Sequence, residues 1–271
     1  MQKDHGIVLY HAPLAVCAAK VRMTLAEKEL AWHSLVVDLA AGEQFSAAYR
    51  AVHPGAVVPA LRHHDRIILD SSVINEYLDD AFEHPRLRPA DPYGRSRMRW
   101  WTKQEDEIQV VINTIVTALV LRPLQRAHDD AIPVARHLDP DRRERWESLI
   151  SQGVASPFID RALRRLARWL SDMDAGLREA DYLAGDAFSL ADIGQAPYLN
   201  ALTLLQLGDL WIGRPAIEAW RLRIGARPSF VAGVTSFVSQ HAADAWAHGG
   251  SQHRLEIQER FGRAADLMKG T

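Results

Sequence analysis

The sequence has only one cysteine, Cys17, in 271 residues. A single cysteine excludes an internal disulfide and a redox cycle that needs two thiols, and it favours a reducing compartment over a secreted, disulfide-rich fold. No block rich in arginine or lysine occurs, and the formal net charge of -2 gives no basic footprint for nucleic acid. The remaining class is an ordinary globular protein, in agreement with 48% hydrophobic and 24% charged residues.

Long hydrophobic runs are also missing. The N-terminus, MQKDHGIVLYH, lacks the apolar stretch of a signal peptide. The most apolar run, IQVVINTIVTALVL at 108–121, is short for a membrane span and contains Gln109, Asn113 and two threonines. We therefore interpret it as a buried helix, and we expect a cytoplasmic protein that binds neither a membrane nor nucleic acid.

Motifs for nucleotides and metals are absent as well. The sequence has no Walker loop, no Gly-x-Gly-x-x-Gly and no Cys-x-x-Cys. His241, His248 and His253 lack a spacing typical of metal ligands, so we expect no metal.

The first eighty residues alternate between strand and helix patterns. Short runs rich in β-branched residues predict strands at 6–10, 32–38, 58–62 and 66–70, and helical spacing predicts helices at 17–28, 42–52 and 71–82. The residues HHD between the last two strands suit a hairpin, whereas the earlier strands need crossover helices. The order βαβαββα is the thioredoxin-like order, and it predicts a domain over residues 1–84.

The pattern changes after a proline-rich joint. Residues 85–92 form this predicted linker, and from residue 93 to the end no convincing strand pattern occurs. Helical patterns cover about 93–122, 157–178, 189–206, 215–225 and 252–268, whereas 123–156 gives no clear pattern. We predict an α/β plus all-α chain, in which the N-terminal thioredoxin-like domain is followed by a helical-bundle domain over residues 93–271.

Two short motifs of the first domain could bind a ligand. A cis Val58–Pro59 bond would turn the preceding backbone outward to pair with an extended peptide, whereas a trans bond would make Pro59 an ordinary strand start. Asp70 ends a strand, and Ser71 or Ser72 is a natural N-cap for the next helix. That helix start could bind a carboxylate while Asp70 binds an amine, or it could be simply a capped helix.

These motifs, in this order and joined to an all-helical domain, resemble those of the cytosolic glutathione transferases over nearly the whole chain. The helical domain adds a capping box at Ser189 and Asp192 in GDAFSLADIGQAPYL, and the segment IEAWRLRIGARPSF at 217–230. The resemblance implies that glutathione is the co-substrate. It places the glutathione contacts at the matching positions, which are Val57, Val58, Pro59, Asp70 and Ser71.

A closer likeness is to the bacterial glutathione-dependent β-etherases, which open aryl ether bonds in lignin-derived dimers, and to their fungal-like relatives. The likeness rests on EQFS at 43–46, INEYLDDAF at 74–82 and LRPADPYGRSRMRWWTKQEDE at 87–107. It implies that Gln44 holds the glycine end of glutathione. It also implies an acceptor-substrate site lined by Pro13, Leu14, Trp100, Trp101, Gln104, Glu105 and Ile108. Paired tryptophans on a helix are also common core residues, so both interpretations stay open.

The catalytic position departs from the family pattern. Many members activate glutathione with a tyrosine or serine hydroxyl after the first strand, but no serine or threonine lies between Tyr10 and Ala19. Cys17 aligns with the cysteine of the beta-class transferases, and a thiol at a helix start is expected to have a lowered pKa. Tyr10 is the other catalytic candidate, and Cys17 could instead be a small core residue. The loop HPGAVVP also departs, with His53 and Ala56 where relatives often have asparagine and glycine.

Three functions are compatible with these features. The favoured one is a glutathione transferase whose bound thiolate attacks a hydrophobic electrophile, with aryl ether cleavage as its specific form. The second is a thiol transfer between glutathione and Cys17. The third is a non-catalytic module for glutathione binding or assembly. The resemblance also implies a homodimer.

Overall fold

The structure is a computed structural model, and it describes residues 5–127 and 139–269. Within that part the chain forms two compact units that do not follow chain order. The first unit takes in the described residues of Met1–Glu105, Ala180–Pro197 and Trp220–Val238. The second takes in those of Asp106–Glu179, Tyr198–Ala219 and Ser239–Thr271. The predicted domain boundaries at 84 and 93 stay a prediction.

The first unit holds a mixed four-stranded sheet. Its strands are β1 Ile7–His11, β2 His33–Val36, β3 Ala60–His63 and β4 Arg66–Leu69. They are ordered β2-β1-β3-β4, with β1 parallel to β2 and β3 antiparallel to both β1 and β4. All four predicted strands are confirmed, with ends shifted by at most about two residues.

Helices make up the other regular elements of the described chain. They are α1 Val16–Glu27, α2 Ala47–Val52, α3 Ser71–Ala81, α4 Pro92–Val116, α5 Arg122–Ala127, α6 Pro140–Gln152, α7 Pro157–Glu179, α8 Leu190–Leu204, α9 Pro215–Gly225, α10 Pro228–Gly233 and α11 Gln240–Lys269. A π-helical segment, Thr117–Leu121, joins α4 to α5. The order β1-α1-β2-α2-β3-β4-α3, followed by helices, confirms the predicted fold class.

Five helices differ from the sequence prediction. The helices α5, α6 and α10 are not predicted, α2 begins at Ala47 after a 3-10 turn rather than at 42, and α11 begins at Gln240 rather than at 252. The start of α6 does carry a signal, because the Asp139 side chain accepts from the Asp141 N–H and Pro140 occupies the first turn. The early part of α11 contains Gly249 and Gly250, whose low helix propensity hides the helical pattern.

One stretch, Pro92–Leu124, is long and apolar enough to cross a membrane by length and composition. This is weak evidence, because core helices of soluble proteins share these properties. Within the protein, 56% of its most apolar window is buried.

The strand register brings three chain segments to one end of the sheet. Tyr10 lies opposite Ala60, and Ala60 lies opposite Leu69. The carboxyl end of β1, the start of β3 and the end of β4 are therefore neighbours. An apolar core fixes this register: Ile7, Leu9, Val21, Leu25, Leu30, Leu61, Ile74 and Leu78.

Arg22 on α1 holds the loop that follows β1. Its guanidinium is buried and donates hydrogen bonds to the carbonyls of Ala12 at 3.3 Å, Pro13 at 3.0 Å and Gly233 at 2.8 Å. The Phe237 ring centroid lies 4.0 Å from the guanidinium carbon, within range of a cation–π interaction. Burial lowers the pKa of Arg22 to about 10, so it remains a cation at neutral pH.

His11 completes this cluster and is fully buried. Its Nδ1 accepts from the Arg22 guanidinium at 3.1 Å, which assigns the proton to Nε2, and Nε2 then donates to Ser34 Oγ at 2.7 Å. Burial, with the charge of Arg22, lowers the pKa of His11 to about 4. His11 is therefore neutral at physiological pH.

The predicted capping box is present at the start of α8. Ser189 Oγ accepts from the Ala191 N–H at 3.3 Å, and the Asp192 carboxylate accepts from the Ser189 N–H at 3.0 Å. Asp192 also accepts from the Trp220 indole N–H at 2.8 Å. Burial raises the pKa of Asp192 to about 6. The box thus ties α8 to α9 within the first unit and has a structural role.

The RPSF segment is structural too. Arg227 donates two hydrogen bonds of 2.8 Å to the Glu27 carboxylate, and Ser229 donates another. Gly233 lets α10 lie close to α1, because a Cβ there would be 2.6 Å from the Met23 nitrogen. The segment therefore anchors α10 on α1.

The second unit is built from helices in its described part. The helix α7 buries one aliphatic face, with Ile159, Leu163, Leu166, Leu170, Met173 and Leu177. The long α11 packs against α7 and against the π-helical segment. An ion pair of 2.8 Å between Arg260 and Asp160 holds α11 on α7.

Two adjacent glycines let α11 approach its neighbours closely. A Cβ on Gly249 would lie 2.3 Å from the Leu119 carbonyl oxygen, and a Cβ on Gly250 would lie 1.8 Å from the Leu205 carbonyl oxygen. Only a hydrogen atom fits at these positions. The glycines that conceal this helix in the sequence are thus required by its packing.

We predict that Gly250→Ala lowers the free energy of unfolding by about 3 kcal/mol, because the methyl group overlaps a backbone oxygen that cannot move alone. Gly262→Ala is the matched control in the same helix, since a Cβ at Gly262 meets nothing within 4 Å. It should be neutral or stabilising by up to about 1 kcal/mol. Urea unfolding of both variants measures this, and equal effects would contradict the packing described.

We predict that acid weakens the fold through His11. Its pKa is about 4 in the folded chain against 6.5 for the free side chain, so the unfolded chain binds more protons between these values. The free energy of unfolding therefore falls as the pH drops through this window, by about 2 kcal/mol between pH 8 and pH 5 for this residue. The variant His11→Asn removes the imidazole, while its amide oxygen can still accept from Arg22. Between pH 8 and pH 5 its free energy of unfolding should therefore fall by about 2 kcal/mol less than that of wild type.

Other groups titrate in the same window, so the quantity to measure is the difference between variant and wild type in urea unfolding at both pH values. His241→Asn, at an exposed position, is the control and should keep the wild-type loss. An identical loss in His11→Asn and wild type would show that His11 is not held neutral.

Candidate functional site

Two helix starts meet at the end of the sheet described above. Cys17, in the first turn of α1, forms a side-chain hydrogen bond with Ser71, the first residue of α3. The first turn of each helix has backbone N–H groups without intrahelical acceptors and carries the positive end of the helix dipole. This arrangement favours a ligand with negative charge.

Asp70 caps α3, which corrects the prediction of a serine cap. Its carboxylate accepts from the N–H groups of Ser72 at 2.9 Å and Val73 at 3.2 Å, and from the Ser72 hydroxyl at 2.6 Å. One carboxylate oxygen thus satisfies two orphan amides, which explains why the acid takes the cap position. Its φ of 70° lies in a region that residues other than glycine rarely adopt, so the backbone is strained here.

The environment of Asp70 keeps it ionised. Burial alone would raise the pKa of the carboxyl group, but the hydrogen bonds from Ser72 and Val73, together with the charge of Lys20, lower it overall. Asp70 can therefore accept an ammonium group of a ligand in addition to capping the helix.

The bond between Val58 and Pro59 is cis, the first of the two alternatives that the sequence left open. Neither backbone group of Val58 forms a hydrogen bond with another described residue. The Val57 carbonyl is instead occupied, because the Tyr49 hydroxyl donates to it at 2.7 Å. Both backbone groups of Val58 are thus open to a ligand, whereas at Val57 only the N–H is, and the predicted glutathione contact of Val57 stays a prediction.

The loop before Pro59 forms a turn that involves His53 and Ala56, the two residues that differ from the family pattern. His53 Nδ1 accepts from the Gly55 N–H at 3.1 Å, a hydrogen bond of the kind that an asparagine side chain makes in turns. Ala56 adopts a φ of 51°, where a glycine would meet no steric cost.

Gln44 lies in a short 3-10 turn, Glu43–Phe45, and is only 7% exposed. Its Oε1 is buried and has no hydrogen-bond partner in the described chain. A buried amide without partners is costly, so this side chain is incomplete without a ligand or water. Among the described residues, no hydrogen bond joins Gln44 to Asp70 or Ser71.

The Cys17 thiol differs from its prediction. Burial raises the pKa of this thiol, and the charges of Glu105 and Asp70 raise it further, which outweighs the lowering effects of Lys20 and Ser71. The expected lowering of the pKa is wrong, because desolvation exceeds the effect of the helix start. Cys17 is protonated at neutral pH, although its side chain is half-buried and does not belong to the core.

A buried ion pair that the sequence did not reveal lies next to Cys17. Lys20 Nζ donates to Glu105 Oε2 at 2.6 Å, and the two side chains are 2% and 3% exposed. The prediction that Glu105 lines a substrate site is contradicted by this burial. A signal for Lys20 did exist, because α1 is buried on nearly all sides and a cation in such a helix needs a partner.

The other predicted substrate residues on α4 differ in their exposure. Trp101 is 3% exposed and its indole N–H donates to the Leu183 carbonyl at 3.0 Å, so it is a core residue, which argues against a substrate wall. Trp100 is 45% exposed and Gln104 is half-buried. Ile108 is buried in the second unit. For these last three the predicted role stays a prediction.

The remaining predicted residues lie near the loop after β1. Tyr10 is half-buried at the end of β1 and packs edge-on against Tyr49, with ring centroids 6.0 Å apart. Pro13 and Leu14 are exposed just before α1. Their catalytic and substrate roles stay predictions. Within residues 5–127 and 139–269, no cluster of three or more His, Cys, Asp or Glu side chains could hold a metal ion.

Sequence comparisons agree with this architecture. The family models described as the N-terminal and C-terminal domains of glutathione S-transferase match residues 16–81 and 146–228. Protein LigF of Sphingobium sp. is 32% identical over 219 residues, which are 76% of this chain and 84% of that protein. Glutathione S-transferase 3 of Zea mays is 28% identical over 226 residues, 82% of this chain and 90% of that protein.

Solved structures agree as well. The crystal structure of beta-etherase LigF from Sphingobium sp. has a TM-score of 0.75 at 30% identity, covering 84% of this chain and 98% of that chain. Glutathione transferase F7 from Populus trichocarpa has a TM-score of 0.67 at 26% identity, covering 86% and 99%. The chain belongs to the glutathione S-transferase family, whose members bind glutathione as co-substrate.

Proposed function

We propose that this protein is a glutathione transferase that cleaves aryl ethers. The observation that carries the activity is the end of the sheet where the ionised Asp70, the start of α3 and the free backbone of Val58 lie together. Support for the substrate class comes from the likeness to beta-etherase LigF, with 30% identity and 98% of that chain covered.

Glutathione matches the polar groups of this site one by one. Its γ-glutamyl end carries an amine, which would pair with Asp70, and a carboxylate, which would accept from the N–H and hydroxyl of Ser71, because Asp70 already accepts from the Ser72 and Val73 amides. Its cysteinyl backbone would pair with the N–H and C=O of Val58. Its glycine carboxylate would accept from the side-chain NH2 of Gln44, whereas the unpartnered Oε1 needs a separate donor.

Backbone amides would stabilise the glutathione thiolate. The loop before α1 contains no hydroxyl side chain, and Cys17 is protonated. Ala15 occupies the N-cap of α1 and makes no side-chain cap, so the N–H groups of the first turn are not taken by a capping side chain. A thiolate placed there gains both hydrogen bonds and the positive end of the dipole, which lower its pKa.

The reaction would be a displacement at an ether carbon. The glutathione sulfur forms a bond to that carbon as the carbon–oxygen bond breaks, and the aryloxide leaves with the electron pair and takes a proton from water. The protein contributes by increasing the thiolate fraction and by holding the two reactants in line. Atoms and electrons balance in this reaction without a metal ion or a redox partner.

The two alternatives have less support. Thiol transfer through Cys17 needs a thiolate, and the raised pKa of this half-buried thiol argues against it. A non-catalytic module that binds glutathione would use the same groups of Asp70 and Gln44, so the support against it is the likeness to beta-etherase LigF. We also propose a cytoplasmic homodimer, for which the support is family membership alone.

A lignin-type aryl ether dimer tests the proposed activity. With reduced glutathione and the protein, we expect release of one phenol for each glutathione conjugated, measured by liquid chromatography. Chlorodinitrobenzene, a general electrophile, is the comparison substrate. Conjugation of that electrophile without phenol release would contradict ether cleavage, and the absence of both products would contradict transferase activity.

A further inference from the structure

The ion pair of Lys20 and Glu105 belongs to no step of the proposed reaction. Lys20 comes from α1 and Glu105 from α4, with 2.6 Å between Nζ and Oε2. A third helix, α8, lies against this ion pair, because a Cβ on Gly194 would lie 2.1 Å from Glu105 Oε1. All three positions are in the first unit, and a Cβ at Gly194 would displace the Glu105 carboxylate from its present position.

The same pair borders the single thiol of the chain. Lys20 follows Cys17 by three residues on α1, so the two side chains share one face of the helix. The charged and polar groups that act on the thiol come from three elements: Lys20 of α1, Asp70 and Ser71 at the start of α3, and Glu105 of α4. Lys20 is the one cation in this set.

Charge balance decides the state of this cluster. A buried carboxylate and ammonium in contact have no net charge, so their combined field on a neighbour is small. Without the Glu105 carboxylate, the buried Lys20 ammonium would lose its contact partner and keep only the charge of Asp70 nearby, and the Cys17 thiol would be a further group that could ionise to balance it.

We propose that Glu105 is a specificity-determining residue: by neutralising Lys20 it prevents that ammonium from offsetting the effect of burial on Cys17, which stays a neutral thiol, so that bound glutathione is the nucleophile. The part about glutathione rests on the proposed function, whereas the effect of Glu105 on Cys17 does not. A Cys17 thiolate would attack glutathione disulfide, forming a mixed disulfide as the original S–S bond breaks and one glutathione thiolate leaves. That product would occupy the site with covalently bound glutathione.

The test is alkylation of Cys17 by iodoacetamide without glutathione. The thiolate forms a carbon–sulfur bond and releases iodide, and because the chain has one cysteine, mass spectrometry reports this residue alone. The rate is measured across pH for wild type, Glu105→Gln and Lys20→Met. A one-unit change in the thiol pKa alters the rate at fixed lower pH by about threefold, since more thiolate forms but each is less nucleophilic.

We expect opposite effects from the two charge removals. Glu105→Gln should accelerate alkylation at pH 7.5 by about threefold or more and shift the pH profile to lower pH. Lys20→Met should slow alkylation and shift the profile to higher pH. Simple loosening of the structure would expose the thiol and accelerate both variants, so that result, or an unchanged rate in Glu105→Gln, would overturn the proposal.

A double variant covers the case in which a single variant does not fold. Lys20→Met with Glu105→Gln leaves no unpaired charge buried, and it should react no faster than wild type. Alkylation faster than wild type in the double variant would also overturn the proposal. A wild-type protein that binds no glutathione would remove the proposed function but would leave these alkylation rates as they are.

Discussion

The first helix and the residue that caps its end bury three cations, and the first unit is organised around their partners. Lys20 pairs with Glu105, Arg22 donates to three backbone carbonyls, and Lys28 pairs with Asp79 at 2.8 Å and donates to two carbonyls that follow α3. Removing one partner from such a buried pair costs about 3–5 kcal/mol, because the other charge is left buried. Lys20 therefore fixes α1 against α4, Arg22 fixes the loop after β1, and Lys28 fixes the start of the predicted linker. The candidate site is held by these charge contacts as well as by apolar packing.

The chemistry of the site depends on the polar groups that remain free to contact a ligand once the buried charges are paired. The thiol of Cys17 is desolvated and protonated, and the loop before α1 has no hydroxyl side chain. The groups that remain to stabilise an anion are the first amides of α1 and the N–H and hydroxyl of Ser71, since Asp70 caps the next two amides of α3. Asp70 supplies the opposite charge from a strained backbone, which costs about 1–3 kcal/mol and is offset in part by its capping hydrogen bonds. A ligand with both an ammonium group and a carboxylate fits this pairing.

Much of the fold could be predicted from the sequence, because strand and helix periods are local. The order βαβαββα, the capping box at Ser189 and the positions of Pro59 and Asp70 all follow from short-range patterns. The partner of Lys20 could not be predicted, since Glu105 is 85 residues away and side-chain pairing depends on helix placement. The prediction of a lowered pKa for the Cys17 thiol failed for the same reason, because desolvation depends on how the chain packs. The start of α11 was missed because Gly250 has a low helix propensity. A glycine stands there because α11 packs closely against the Leu205 carbonyl.

The central claim, that this end of the sheet binds glutathione through Asp70, is tested most directly by calorimetric titration of reduced glutathione. Asp70→Asn is the informative variant, because asparagine still caps a helix but cannot pair with an ammonium group. Asp65→Asn, an exposed acid in the turn between β3 and β4, is the matched control. The account predicts binding to wild type and to Asp65→Asn, and at least about tenfold weaker binding to Asp70→Asn, which corresponds to the loss of one charge-assisted contact. Equal affinity in all three proteins, or no heat with wild type at millimolar glutathione, would contradict it.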